Sequence, residues 1–216
     1  FNRAKEVLGI GSKFFVIQLS LLILFSTDNI IISQLFSPAE VVPYEVARKY
    51  FSLLLHIFFI ISTPYWSSFT EAYVKDDIVW IKNAVRRLLK IWCFIPLLLI
   101  IMYLFSDYFY FIWVGGNVKV PQIMSLLMAV FVLLATFNTI FTQFLNGVGK
   151  IQLQMYSSVF SIFINIPLSI YFAKYTSLGV SGVIFATCIS LIVYVVLRPI
   201  QYFKIINKRE KGIWQK

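Results

Sequence analysis

Six long runs of apolar residues with almost no charged side chains divide the sequence. Each run has at least twenty residues, and about 20 helical residues are enough to cross the roughly 30 Å core of a bilayer. The runs are continuous and lack the period-two alternation of barrel strands, which excludes a β-barrel. We therefore predict an all-α, polytopic membrane bundle of six transmembrane helices, at 14–36, 51–70, 91–113, 120–149, 151–173 and 175–197.

Composition and charge support a membrane protein. Hydrophobic residues make up 60% of the chain and charged residues 13%, a balance that excludes a water-soluble enzyme. The net charge of +10 does not indicate nucleic-acid binding, because the basic residues are spread between the apolar runs. Six crossings put both termini on one side, where 15 of the 19 Lys and Arg residues fall. The positive-inside rule then predicts that both termini are cytoplasmic.

The segment 71–90, between the second and third runs, has the pattern of a basic amphipathic helix. Apolar residues recur there at 3-4-3 spacing opposite four cations, and Asp76 or Asp77 is the expected N-cap. One interpretation is a helix lying on the cytoplasmic membrane face, with its cations against anionic lipid. The other is a cytoplasmic extension of the third span.

Three prolines interrupt the predicted spans, namely Pro64, Pro96 and Pro167. A proline inside a helix frees a backbone carbonyl and bends the axis. Broken helices of this kind are frequent in transporters, where the freed carbonyls line polar cavities. The three prolines are therefore hinge candidates.

Two ionisable side chains fall deep inside the apolar runs, Asp28 in the first and His56 in the second. Counted at about 1.5 Å per residue, they lie at similar depths on adjacent antiparallel helices. A carboxylate beside a histidine would give a site that titrates in the physiological range. The alternative is that Arg48 or Lys49 neutralises Asp28, or that Asp28 stays protonated, while His56 bonds a backbone carbonyl.

Polar amides also recur inside the runs, including Asn29, Asn138, Gln143 and Asn165. Such groups serve as hydrogen bonds between helices, or they line a hydrophilic cavity suited to sugar hydroxyls. One histidine and two cysteines buried in apolar runs predict no metal site and no disulfide. We expect no cofactor, no catalytic residue and no enzymatic activity.

Four stretches, in this order and spacing, resemble the C-terminal half of a polysaccharide flippase of O-antigen type, from the multidrug/oligosaccharidyl-lipid/polysaccharide exporter superfamily. The last two, a glycine-containing turn and then an Asn-bearing helix followed by LGVSGVIFAT, are the most specific. The stretches are FSTDNIIISQLFSPAEVVPYEVARKYF at 25–51, TPYWSSFTEAYVKDDIVWIK at 63–82, FLNGVGKIQLQ at 144–154 and INIPLSIYFAKYTSLGVSGVIFATCIS at 164–190.

That resemblance implies that residues 1–216 form the C-terminal lobe of a two-lobe transporter, preceded by a six-helix lobe that is absent from this sequence. It implies alternating access in a bacterial inner membrane, moving a polyprenyl-diphosphate-linked glycan to the periplasmic leaflet. Contact with glycan polymerase machinery is a further implication. Cationic cavity residues are expected to receive the diphosphate, and Arg48 and Lys49 are the candidates, with strong anion contacts expected mainly from the absent lobe.

Three rival functions stay open. A multidrug or cation antiporter of the same superfamily would use one dominant carboxylate, for which Asp28 is the deep candidate. A glycan polymerase or ligase would need a sizeable external loop, whereas the longest outer connection here is 37–49. A membrane scaffold without transport activity would present uniformly apolar faces to the absent half.

Overall fold

The structure is a computed structural model that describes residues 2–116 and 118–215, without the side chains at 2–7, 25 and 215. The side chains of Arg3, Lys5 and Lys216, which entered the charge count, therefore lie outside the described set. The described residues form helices and no strand. Their α-helices are α1 (Asn2–Leu35), α2 (Val41–Ser62), α3 (Pro64–Val74), α4 (Ile78–Trp92), α5 (Ile95–Leu104), α6 (Ser106–Val114), α7 (Gln122–Gly147), α8 (Gln152–Tyr175) and α9 (Ser181–Ile206).

Six helical segments within the described residues are long and apolar enough to cross a membrane, which confirms the predicted number and class. They are Leu8–Leu35, Pro38–Val74, Ile78–Leu104, Gln122–Gly147, Gln152–Tyr175 and Ser181–Ile206. The third was predicted at 91–113. It begins earlier because α4 runs almost without a break into α5, and it ends earlier because the chain departs from helical geometry at Phe105.

Helix α7 lies at the centre of the bundle. It packs against α2, α3, α4, α5 and α9, and α8 lies between α1 and α9. Helix α7 carries no charged residue along its length. Because a helix that is apolar all round can be buried on most of its sides, α7 can occupy this central position. The two helix pairs α7–α9 and α8–α9 form the most extensive packing in the molecule.

Two glycines let helices cross at backbone contact. A Cβ added at Gly182 in α9 would lie 2.5 Å from the carbonyl carbon of Phe172 in α8. A Cβ at Gly147 in α7 would lie 2.7 Å from the carbonyl oxygen of Trp66 in α3. Small residues serve this purpose in membrane bundles, because close backbone approach increases van der Waals contact where no hydrophobic driving force exists between helices.

The predicted hinge prolines take different positions. Pro64 starts α3 after a one-residue interruption at Thr63, and Pro96 lies in the first turn of α5. Both sites suit proline, since the first turn of a helix leaves its N–H groups unpaired in any case. Pro167 lies inside α8, and Pro199, which was not among the candidates, lies inside α9.

The amphipathic segment predicted at 71–90 is not one helix, because the chain turns at Lys75 and Asp76, where Asp76 has φ +52°. Residues up to Val74 belong to α3, and α4 begins at Ile78. Asp77 caps α4 as predicted, because its Oδ1 accepts a hydrogen bond from the Trp80 backbone N–H at 2.9 Å.

The apolar face of α4 is buried, with Ile81 and Leu88 fully covered, and it packs against α3 and α7. Cys93 and Phe94 keep right-handed helical dihedrals between α4 and α5. This continuity favours the interpretation of α4 as an extension of the third span.

The connections α3–α4 and α7–α8 and the C-terminal segment meet at one end of the bundle. Lys208 pairs with Asp76 at 2.7 Å and Lys150 pairs with Glu210 at 3.0 Å. Burial works against charge on Glu210, but its own backbone and the Lys150 ammonium outweigh burial and lower the pKa of the carboxyl. These contacts join the segments that the six-span topology places on one side.

Candidate functional site

A cavity of about 500 Å³, lined by both apolar and polar side chains, opens between α1, α2, α7, α8 and α9. Two of its lining rings join α1 to α3, because Phe14 and Trp66 stack with centroids 5.6 Å apart and planes 25° apart. A ring pair of this kind beside amides could hold the face of a sugar. The polar side chains that line the cavity besides arginine include Gln18, His56, Asn138, Gln143, Asn146 and Gln154.

Arg198 is the cation of this cavity. Its residue is only 9% exposed, its guanidinium stacks 4.9 Å from the Tyr194 ring centroid, and its Nη1 donates to Thr142 Oγ1. Its Nε has no hydrogen-bond partner, and none of the four ion pairs among the described residues includes it. A buried guanidinium with spare donors and no carboxylate partner has the chemistry to bind an anionic ligand.

Arg198 was not among the residues predicted from sequence, and anion contacts were expected mainly from the absent lobe. The sixth span was predicted to end at Leu197 because a charged residue follows. In the structure α9 continues to Ile206, so Arg198 lies within the helix and faces the cavity. The signal that could have found it is the i, i+4 spacing of Tyr194 and Arg198, which stacks the two side chains on one helix face.

The four amide candidates lie in three different places. Asn138 and Gln143 line the cavity, where Asn138 Oδ1 has no hydrogen-bond partner and Gln143 Nε2 donates to Ser62 Oγ at 3.4 Å. Asn165 lies away from the cavity, with its Nδ2 donating to Thr187 Oγ1 at 3.1 Å. Asn29 joins a surface cluster with Glu45 at 3.0 Å.

A buried polar node joins four helices around Asp28, which is 1% exposed. Asp28 Oδ2 accepts hydrogen bonds from Tyr44 at 2.7 Å and from Thr187 at 3.4 Å. Thr187 in turn accepts from Asn165, whose Oδ1 takes a weaker bond from Ser169. The node thus connects α1, α2, α8 and α9. Tyr44 and Thr187 were not among the sequence candidates, because only tertiary packing brings them to the carboxyl.

The structure does not bring Asp28 and His56 together. Among the described side chains, Asp28 bonds Tyr44 and Thr187, while its Oδ1 has no hydrogen-bond partner. His56 is exposed and lines the cavity. These contacts correct the prediction of a carboxylate–histidine pair. Similar depth on neighbouring helices does not determine the direction in which the two side chains point.

Arg48 and Lys49, the cationic candidates of the sequence analysis, do not line the cavity. Arg48 donates two hydrogen bonds to Glu45, from Nε to Oε1 at 2.9 Å and from Nη2 to Oε2 at 2.6 Å. This bidentate ion pair balances the charge of Arg48. Lys49 is exposed. Neither residue neutralises Asp28 through a direct ion pair within the described residues.

We expect Asp28→Leu to destabilise the protein by about 1–3 kcal/mol, because it leaves the Tyr44 hydroxyl unpaired in a buried site. Thr187 keeps its bond to the Val183 carbonyl at 3.3 Å. Asp28→Asn keeps an acceptor for Tyr44 and should cost less. Thermal unfolding in detergent measures the difference, with Asp107→Leu as the control because Asp107 is exposed. Equal melting of the Asp28→Leu and Asp28→Asn variants would contradict a structural role for the node.

Comparison with known proteins identifies the family of this chain. The MatE family profile matches residues 14–171. A "Putative O-antigen transporter" from Salmonella typhi is 25% identical over 194 residues, covering 88% of this chain and 44% of that protein. The chain therefore spans less than half the length of this relative. No solved structure matches the chain.

Family and relative both point to a transporter and not to an enzyme. Because the profile match covers most of its length, the protein belongs to the MatE family, and its six candidate spans make it a multi-pass membrane protein.

Proposed function

We propose that this chain is the C-terminal lobe of an exporter that flips a lipid-diphosphate-linked oligosaccharide from the cytoplasmic to the periplasmic leaflet of a bacterial inner membrane. Transport would proceed by alternating access, in which two lobes rock around a substrate held between them. Such movement requires only that the substrate bind inward-facing and outward-facing states differently, so no covalent step is needed.

The observation that carries this proposal is the buried Arg198, which has no carboxylate partner among the described residues and lines a cavity together with several amides. A planar guanidinium can bind two phosphate oxygens at once, and the low dielectric of the cavity strengthens that contact. The amides of Asn138 and Gln143 supply donors and acceptors for sugar hydroxyls beside it. One cavity thus holds side chains suited to both the diphosphate and the sugar hydroxyls.

Two partners complete the proposal, a second lobe and glycan polymerase machinery. The chain aligns with 44% of the relative's length, which is compatible with one lobe of a two-lobe transporter whose other lobe would close the cavity. The excess of basic residues at one end of the bundle supports cytoplasmic termini for this segment. Glycan polymerase machinery would receive the product on the periplasmic face.

Gene deletion with leaflet-specific detection tests the proposal. We expect lipid-linked glycan to accumulate on the cytoplasmic leaflet of the deletion strain, and the intact protein to restore its movement. Accumulation of an unpolymerised glycan on the outer leaflet would instead indicate a polymerase or ligase and would overturn the proposal.

The second candidate function is a multidrug or cation antiporter, and the buried carboxyl of Asp28 is the observation in its favour. Against it, Asp28 does not line the cavity and its Oδ2 is already bonded. The same deletion strain separates the two functions. An antiporter predicts greater sensitivity to lipophilic cations with no change in lipid-linked glycan.

A further inference from the structure

Helix α4 presents four cations that form no ion pair among the described residues. Their side chains are exposed, while the opposite face of the helix is buried against α3 and α7. We call them the α4 basic face, and its residues are Lys82, Arg86, Arg87 and Lys90.

Contacts with α7 align this basic face with the uncharged length of that helix. Trp92 Nε1 donates to Thr136 Oγ1 at 3.1 Å, which sets the end of α4 level with the middle of α7. At the start of α4, Trp80 packs on Phe69 with centroids 5.9 Å apart, and Phe69 packs on Phe144 at 5.5 Å. The stretch 82–90 therefore runs beside the second half of α7, a helix whose flanking charges are Lys119 and Lys150.

The basic face lies on the outer side of the lobe. Helix α7 uses Thr136 and Phe137 to contact Trp92, whereas it uses Asn138 and Thr139 to line the cavity. Residues two apart on a helix point about 200° from each other. Because α4 packs on the side of α7 that faces away from the cavity, its exposed cations face neither the cavity nor a lobe that closes it.

Cations at this depth on an outward face need an anionic partner, since hydrocarbon does not solvate charge. Long Lys and Arg side chains extend along apolar surface until their heads reach the headgroup layer. There, phosphate oxygens accept strong charge-assisted bonds, bidentate from arginine. Phe94, just before α5, and Leu97, within α5, are exposed apolar residues suited to contact with acyl chains. A soluble acidic protein could not reach cations that lie beside the apolar length of α7.

We propose that the α4 basic face is a binding site for anionic phospholipid headgroups in the leaflet at the Lys150 end of the protein. The bound lipids hold α4 at a fixed depth and stabilise its packing on α3 and α7. This site is independent of the cavity and of the transported substrate.

Melting of the intact protein in nanodiscs tests the proposal. We expect phosphatidylglycerol mixed into phosphatidylcholine to raise the unfolding midpoint of the wild-type protein. The variant Lys82→Gln/Arg86→Gln/Arg87→Gln/Lys90→Gln should lose most of that increase. Each Lys or Arg near an anionic surface contributes about 1 kcal/mol of binding free energy. The apparent affinity of the fourfold variant for phosphatidylglycerol should therefore be at least about tenfold lower than that of the wild type.

A charge-matched control is Lys119→Gln/Lys174→Gln/Arg209→Gln/Lys211→Gln, which removes four exposed cations elsewhere. It should keep the full phosphatidylglycerol effect. Mass spectrometry of co-purified lipid gives a second measurement that does not depend on melting, and the α4 variant should retain less phosphatidylglycerol than the control. Equal lipid retention and an equal rise in midpoint for both variants would overturn the proposal.

Discussion

We expect Arg198→Met to lose most transport activity while the protein stays folded. Hydrogen bonds to a charged group contribute about 1.5–3 kcal/mol, so substrate affinity should fall by about 10- to 100-fold. Stability should be unchanged or higher, because methionine fills similar space without the cost of a buried charge. Thr142 remains bonded, since its Oγ1 also donates to the Asn138 carbonyl at 2.8 Å. The measurement pairs flipping of lipid-linked glycan in vesicles with thermal unfolding.

Two further variants separate charge from shape. Arg198→Lys keeps the charge without the planar fork and should retain partial activity. Arg209→Met is the matched control, because Arg209 is an exposed arginine beyond the end of α9. Transport at the wild-type rate by the Arg198→Met protein would remove Arg198 from the substrate site.

Gly182→Leu should abolish the folded lobe, and Gly182→Ala should already be costly. The new Cβ would lie 2.5 Å from the carbonyl carbon of Phe172 and 2.6 Å from the backbone nitrogen of Ala173. Backbone atoms cannot rotate away as a side chain can, so α8 and α9 must separate. Overpacking of this kind costs about 3 kcal/mol, and α8–α9 is one of the two largest helix contacts. Yield of monodisperse protein and its melting temperature measure the effect.

Gly11→Ala provides the control for intrinsic helix propensity. Gly11 also lies in a helix, but no atom lies within 4 Å of an added Cβ. Because alanine is the better helix former, Gly11→Ala should leave stability unchanged or slightly raise it. A Gly182→Ala protein that melts with the wild type would show that the α8–α9 crossing relaxes without cost.

The six spans were predictable because the bilayer imposes a one-dimensional rule. Every backbone polar group in hydrocarbon must be bonded within its own helix, so length and absence of charge identify a span. The absence of charge was a poor guide to where the spans end, because charged residues lie inside the second and sixth spans. The second candidate span extends back to Pro38, because pairing with Glu45 lets Arg48 lie inside α2. The sixth extends past Arg198 to Ile206 because the cavity accommodates that charge.

For the candidate site, the sequence predicted which residue types are buried but not which residues they contact. The sequence identified a deep carboxyl and several amides as unusual in hydrocarbon, and Asp28, Asn138 and Gln143 are indeed buried. It did not predict that Asp28 bonds Tyr44, because that contact depends on how α1 and α2 rotate about their axes. A rotation of one residue, about 100°, would turn either side chain away.

The sequence by itself determined that this chain crosses a membrane six times as helices, since apolar length and charge placement depend only on residue order. Tertiary structure alone decided that Arg198 faces a cavity, that Asp28 joins four helices and that the cations of α4 lie beside the uncharged length of α7. The physical reason is that a helix fixes the spacing of its side chains, whereas its rotation and register against its neighbours arise from packing between residues far apart in the chain.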